Sequence, residues 1–291
     1  MGRVYMASGG YQKAQPFLER ALHLAEQTSS SDSDVYACML DLAYLYKSQG
    51  KLKEAERMCL SGLELQEKDL HENHPYVAYT LRILSEIYRG QGRYQEAESS
   101  LERAIGIIHR VRPDDDQQSA PFLVDMGRLL VECGRLAEAQ TYFDKAIPLI
   151  EKSFGSEHLY TTKVLAGMAS LYVEQERFAE AQELILRILP IQEKIYGPNH
   201  HFLVPVWLLQ AKIHIGRAEY AEAEPLCRRA LDITEGISDE YHPMIADVLE
   251  TLAQLRRQTG DTAEATRLQQ RAKDIRVHQR ADSAPVARVT D

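Results

Sequence analysis

A repeating pattern of apolar, small and polar residues runs along almost the whole chain. The pattern is counted most easily from a turn position that holds Gly9, Gly50, Gly92, Gly134, Glu176, Ala218 and Gly260 in successive repeats. These turn positions are 41 or 42 residues apart, and an alanine stands five residues after every one of them. Seven alanines in register predict an array of stacked structural repeats, because chance does not maintain such a spacing.

Each repeat is predicted to contain two amphipathic helices joined by a tight turn. In the first, helix A, apolar residues stand eleven, eight, seven and four residues before the turn position, which is the spacing of one helical face. The residue seven before is always small, and together with the alanine it lets the second helix, helix B, pack closely. We therefore predict an all-α fold, a right-handed α-solenoid of about seven helix-turn-helix repeats with the first repeat truncated.

The predicted array covers residues 1–275, and the loss of the period after them predicts a disordered polar tail over residues 276–291. Arg112–Pro121 interrupts the array as an acidic segment, for which we predict a mobile loop. Helix A of the first repeat lacks its front half, so we expect a piece of a longer array or a start at an internal methionine. The apolar edge that this leaves is expected to favour self-association.

The charge balance and the lack of long apolar runs narrow the classes of partner. The formal net charge is −9 at pH 7, which disfavours a general nucleic-acid binder because phosphate contacts require clustered lysine and arginine. No apolar run approaches the roughly 20 residues that a membrane span requires. We therefore expect no nucleic-acid or membrane partner and a cytoplasmic location.

Histidine and cysteine side chains, which could bind a metal ion or take part in catalysis, recur as parts of the repeat. We interpret them as structural. Histidines at positions 74, 158, 200 and 242 share one loop position, and equivalent residues of neighbouring repeats lie ~8–10 Å apart, too far to share a metal ion. We expect loop and capping roles for them, and no metal, cofactor or catalytic site. The four cysteines form no CxxC pair, and Cys59 and Cys227 share an apolar position, which predicts buried, reduced thiols.

The order of these residues resembles the tetratricopeptide repeat, and the longer period resembles its kinesin-light-chain type. The stretch HPYVAYTLRILSEIYRGQGRYQEAESSLERAIGI, from His74 to Ile107, carries the similarity most clearly. The resemblance extends over about residues 1–276 and implies a scaffold that binds other proteins. Helix A lacks the paired asparagines that contact peptide in kinesin light chains, with Arg82 and Ile83 at one such pair. That peptide clamp is therefore not carried over to this chain.

The resemblance also implies that helix A lines a concave surface with the residues ten, six and three before the turn position. In the six fuller repeats these positions hold six basic and two acidic residues. We predict a groove that binds a protein segment with acidic and apolar side chains, through arginine–carboxylate contacts and aliphatic anchors. The candidate contacts are Tyr44, Lys47, Arg82, Arg89, Arg128, Leu208 and Lys212. The alternatives are a self-associating structural array and a regulatory sensor segment of a larger protein.

Overall fold

A computed structural model of the chain describes residues 1–7, 10–28, 32–111, 116–237 and 242–280. Within these ranges it contains fourteen α-helices, one short 3₁₀ turn over His201–Leu203, and no strand. The helices are α1 (Gly2–Ala7), α2 (Tyr11–Gln27), α3 (Asp32–Ser48), α4 (Leu52–Leu70), α5 (Pro75–Gly90), α6 (Tyr94–Val111), α7 (Asp116–Glu132), α8 (Leu136–Phe154), α9 (Leu159–Glu174), α10 (Phe178–Tyr196), α11 (Val204–Gly216), α12 (Tyr220–Ile237), α13 (Pro243–Gln258) and α14 (Thr262–Arg280). The all-α fold predicted from the periodicity is confirmed.

The helices alternate as A and B helices in the predicted order. The odd-numbered helices are the A helices, and every even-numbered helix begins two residues after a turn position, as α4 does at Leu52 and α6 at Tyr94. Pro75 and Pro243 are the first residues of α5 and α13. Proline is suited to this place because the first helical residue needs no N–H donor within the helix.

The turn position adopts a left-handed backbone conformation at every repeat in which it is described. Its φ angles lie between 59° and 89° at residues 50, 92, 134, 176, 218 and 260, whereas residue 9 lies outside the described residues. After α5, the Arg93 N–H donates to the Tyr88 carbonyl (2.8 Å) and the Gly92 N–H donates to the Arg89 carbonyl (2.9 Å). These bonds form a Schellman motif, which satisfies carbonyls at the end of helix A. Glycine suits this motif because a Cβ disfavours the left-handed conformation.

Small residues bring each A helix close to its B helix. The seven alanines that follow the turn positions are at most 1% exposed. Such close packing surrounds Phe143 of α8, since a Cβ built on Gly127 of α7 would lie only 2.8 Å from the phenylalanine ring. Gly127 stands seven residues before its turn position, so the predicted reason for a small residue there is confirmed.

The helices group into two compact units, each with its own core. The first unit consists mainly of Met1–Ile107, and the second consists mainly of Ile108–Glu240 and Met244–Lys273. Leu18 and Leu42 belong to a buried cluster of the first unit. Trp207 belongs to a buried cluster of the second unit, where it lies among apolar residues of α11, α12 and α13.

Two segments that were expected to be irregular are partly helical. Helix α14 continues to Arg280, because Ile275 and Gln279 remain buried one turn beyond the end of the apolar pattern. Helix α7 begins at Asp116 within the predicted acidic loop, and buried side chains at Ser119 and Ala120 explain its early start. The other parts of these segments, residues 281–291 and 112–115, lie outside the described residues.

Candidate functional site

Four of the predicted contact residues lie in the first unit, on two neighbouring A helices. Tyr44 and Lys47 belong to α3, and Arg82 and Arg89 belong to α5. The two helices bury the residues next to these in sequence, namely Leu42, Ala43, Leu45, Leu81, Leu84, Ser85, Ile87 and Tyr88. The helical repeat of 3.6 residues therefore leaves the four candidates on the less buried side of each helix.

Glu86 joins three of these residues into one group, the α3–α5 cluster, which consists of Tyr44, Lys47, Arg82 and Glu86. The Lys47 ammonium forms an ion pair with the Glu86 carboxylate, and its Nζ lies 4.9 Å from the centroid of the Tyr44 ring. Arg82 Nη1 lies 3.9 Å from Glu86 Oε1, one helical turn along α5. The sequence identified the cations and the tyrosine, but it gave no indication that one carboxylate connects them.

The α3–α5 cluster is largely but not fully covered. The side chains of Lys47, Arg82 and Glu86 are 20%, 19% and 20% exposed, whereas Tyr44 is 42% exposed. Ionic attraction at such partly buried positions exceeds that between fully solvated charges, because less water screens it. Two cations contact the one carboxylate of Glu86, and Arg89 follows Glu86 by three residues on α5.

Arg128 lies in the second unit, where its charge is balanced within its own helix. Its Nη1 is 3.7 Å from Oδ1 of Asp125, one turn earlier on α7. The aliphatic part of its side chain lies over α9, since a Cβ built on Gly167 would be 3.1 Å from Arg128 Cγ. Arg128 therefore contributes less net charge to its surface than the sequence indicated.

Leu208, which was predicted as an apolar contact residue of the groove, is largely covered in the structure. Leu208 is only 7% exposed and belongs to the buried cluster that contains Val248 and Leu252 of α13. Helix α13 supplies apolar side chains that cover Leu208, so the residue serves the core of the second unit. Lys212, one turn further along α11, is partly exposed.

Comparison with families of known proteins identifies the repeats. The family described as MalT-like TPR region, in which TPR denotes the tetratricopeptide repeat, matches residues 1–160. Two further families described as tetratricopeptide repeat match residues 161–202 and 205–276. The chain belongs to the tetratricopeptide repeat family. A search of curated proteins gave no match.

Several solved structures share this tetratricopeptide repeat fold. RapI in its apo form is 12% identical, with a TM-score of 0.66 and 94% of each chain covered. A Podosopora anserina protein assigned as a kinesin light chain with nearly identical TPR-like repeats is 24% identical over 66% of this chain and 92% of its own, with a TM-score of 0.52. BtubC (BKLC) from P. vanneervenii is 17% identical over 82% of this chain and 96% of its own, with a TM-score of 0.52. The predicted kinesin-light-chain type of repeat is thereby supported at the level of the fold.

Membership of the tetratricopeptide repeat family makes the chain a protein-interaction scaffold in general terms, and such scaffolds are typically non-catalytic. None of the described helices combines the length and the hydropathy that a membrane crossing would need.

Arginine–glutamate pairs join consecutive B helices of the tetratricopeptide array, and they were not anticipated from the sequence. Their partners are 36 residues apart in every case, so the pairs recur in register with the repeat. The pairs are Arg103–Glu67 (2.5 Å), Arg187–Glu151 (3.4 Å) and Arg271–Glu235 (2.7 Å). Arginines 42 or 84 residues apart were the signal that could have revealed them. We assign these half-exposed pairs to the stacking of repeats, where each contributes roughly 0–1 kcal/mol.

Three of the four histidines at the shared loop position act as N-caps, as that position predicts. In each case Nδ1 accepts a hydrogen bond from the backbone N–H two residues later. These bonds join His74 to Tyr76 (3.2 Å), His158 to Tyr160 (3.2 Å) and His200 to Phe202 (3.3 Å). In the part of the chain that the structure describes, no three His, Cys, Asp or Glu side chains are grouped so as to hold a metal ion.

The shared apolar position of Cys59 and Cys227 is buried, as predicted. Burial raises the pKa of both thiols to about 12, so they stay protonated and unreactive at neutral pH. Cys38 is partly buried and Cys133 is exposed, so the prediction of buried thiols is wrong for Cys133. Cys133 stands directly before the turn at Gly134, where the helix has left the core.

Proposed function

We propose that this chain is a non-catalytic scaffold that binds an acidic and apolar segment of a partner protein at the α3–α5 cluster. The observation that carries the proposal is the meeting of Lys47 and Arg82 at one carboxylate, with Lys47 beside the exposed ring of Tyr44. Arginine and lysine recognise carboxylates by charge-assisted hydrogen bonds, and a tyrosine ring offers a flat surface to an apolar side chain. Arg89, about two turns beyond Arg82 on α5, extends this surface towards a second acidic residue.

We place the site in the first unit because three of its candidate residues are joined in one cluster through Glu86. The second unit contributes Arg128, which pairs with Asp125, and Lys212, while its expected anchor Leu208 is buried. We propose a cytoplasmic location for the scaffold, since Cys59 and Cys227 are kept as separate buried thiols, as is usual in a reducing compartment.

The binding test uses fluorescent synthetic peptides of alternating glutamate and leucine, with a lysine–leucine peptide for comparison. We expect the glutamate–leucine peptide to bind, and the charge reversal Arg82→Glu with Arg89→Glu to weaken binding by at least about tenfold, or about 1.4 kcal/mol. Fluorescence anisotropy at low and high salt measures both affinities, and the difference should shrink as salt screens the charges.

The matched control is Lys145→Glu with Lys152→Glu, which makes the same change in net charge at exposed positions of α8. If the control weakens binding as much as the reversal at Arg82 and Arg89, the effect belongs to the charge of the whole protein. Unchanged binding of the Arg82/Arg89 variant would refute the proposed site.

A second candidate function is self-association, which the apolar surface of α1 and α2 favours. Met1, Val4, Phe17 and Leu24 are exposed there. A second copy of the chain that covered them would gain roughly 25 cal/mol for each Å² of apolar surface removed from water. Light scattering over a concentration series tests this alternative, and a mass that stays at that of a monomer would rule it out.

A further inference from the structure

Glu86 is an unusual residue at its place in the repeat. It stands six residues before the turn position, where the other five of the six fuller repeats hold Tyr44, Arg128, Ser170, Lys212 and Gln254. Glu86 is therefore the one acidic residue at this position of the array. The packing of repeats does not require a carboxylate there, because the other repeats form the same helices without one.

Glu86 also occupies the place that an acidic ligand would need. Its two oxygens face Lys47 of α3 and Arg82 of α5, so one carboxylate holds both cations of the α3–α5 cluster. A carboxylate from a partner would seek the same donors, because ammonium and guanidinium groups bind carboxylates in the same way whichever chain supplies them. Two carboxylates close to the same cations repel each other, so the ligand and Glu86 compete.

We propose that Glu86 is an internal competitor that occupies the cation pair Lys47 and Arg82 until a carboxylate of the partner segment displaces it. This inference rests on the proposed function, since it takes an acidic segment as the ligand of the same site. The displaced Glu86 must lose its ion pair with Lys47, so a segment binds well only if its carboxylates and apolar groups together outweigh that loss. Glu86 thereby selects strongly acidic segments against weakly acidic ones.

The test replaces the competitor with its uncharged isostere, Glu86→Gln, and measures binding of the glutamate–leucine peptide by fluorescence anisotropy. We expect affinity to rise about fivefold or more, since residue 86 no longer offers Lys47 and Arg82 a carboxylate, and the gain to shrink at high salt. Adding Lys47→Met to Glu86→Gln should remove most of the gain. Glu102→Gln, at an exposed position of α6, is the control with the same change in charge.

The outcomes separate this inference from the proposed function. Suppose that the wild type binds the peptide and that binding depends on Arg82 and Arg89, but Glu86→Gln leaves affinity unchanged or lowers it. The role of Glu86 as a competitor is then refuted, whereas the proposed binding site is not. If neither the wild type nor Glu86→Gln binds, both proposals fall. Binding of the lysine–leucine peptide that is lost in Glu86→Gln would make Glu86 a ligand-recognising residue and overturn its role as competitor.

Discussion

Gly167 of α9 and Gly127 of α7 both lie against the ring of Phe143. Whether Gly167→Ala raises or lowers the free energy of unfolding therefore tests this contact. A Cβ at Gly167 would lie 2.8 Å from Cε1 and from Cζ of Phe143. Carbon atoms pack best at about 3.5–4.0 Å, so Gly167→Ala would place a methyl group roughly 0.7 Å too close to the ring. The ring cannot move away easily, because Gly127 approaches the same ring equally closely and Phe143 is fully buried.

The expected free-energy change is the difference between two effects. Replacing glycine by alanine within a helix normally stabilises by about 0.8–1.0 kcal/mol. Overpacking a buried ring costs about 1–3 kcal/mol. We expect the second effect to win, so that Gly167→Ala lowers the free energy of unfolding by roughly 1 kcal/mol and by at most about 2 kcal/mol. Gly106→Ala is the control, because Gly106 lies within α6 and a Cβ there would meet no atom within 4 Å. That variant should be stabilised.

Urea unfolding followed by far-UV circular dichroism measures all variants, and the fluorescence of the single Trp207 follows the second unit separately. Phe143→Leu provides a double-mutant cycle, because a smaller side chain leaves room for the added methyl group. The cost of Gly167→Ala should fall by about 1 kcal/mol or more in that background. Stabilisation by Gly167→Ala, or the same cost with and without Phe143, would show that the ring does not explain the glycine.

Two further predictions concern the turn position and the last repeat. Ala218→Gly should stabilise the protein by about 0.5–1 kcal/mol, because Ala218 has a φ of 60° that glycine adopts without strain. Gly134→Ala should destabilise it by a similar amount, although its Cβ would have open space, and thermal unfolding of both variants checks the pair. Arg256 donates to both oxygens of Glu224 (2.5 and 2.6 Å) and, together with Arg228, lowers the pKa of Glu224 from its ordinary 4.5 to about 2. A lowered pKa contributes stability that is complete above about pH 4.5 and is lost as the pH falls towards about 2. Glu224→Gln should therefore lower the free energy of unfolding by about 1.5–3 kcal/mol at neutral pH and by progressively less in acid. Urea titrations at several pH values measure this loss. A loss that does not depend on pH would contradict the pairing.

The sequence predicted those parts of the fold that the same contacts impose on every repeat. The alanine five residues after each turn and the glycine at most turns recur because helix packing and a left-handed φ constrain them in the same way each time. Helix starts such as those of α4 and α6 follow directly from these constraints. The period carries no such information about residues 276–280, where Gln279 is buried without being apolar.

The candidate site was harder to predict, because its properties depend on side chains of different repeats. Leu208 occupies a position that the family resemblance places in a groove, but whether that position is covered depends on Val248 and Leu252, about forty residues later. In the same way, Glu86 of one A helix pairs with Lys47 of the preceding A helix, and the two residues are 39 positions apart in sequence. Helical periodicity predicts the face of the helix on which a residue lies. It does not predict which side chain of a neighbouring helix contacts that residue.

Recurrence separates the charges that build the array from those that are available for function. Arg103 and Glu67 pair at positions that other repeats fill in the same way, so stacking explains them. Arg256 does not recur, yet both oxygens of Glu224 pair with it at a position where four of the other repeats have tyrosine. The α3–α5 cluster differs from both, because its contacts do not recur in other repeats and two cations contact one carboxylate near an exposed ring. The packing of repeats does not require that arrangement, which is why we propose it as the place where an acidic ligand binds.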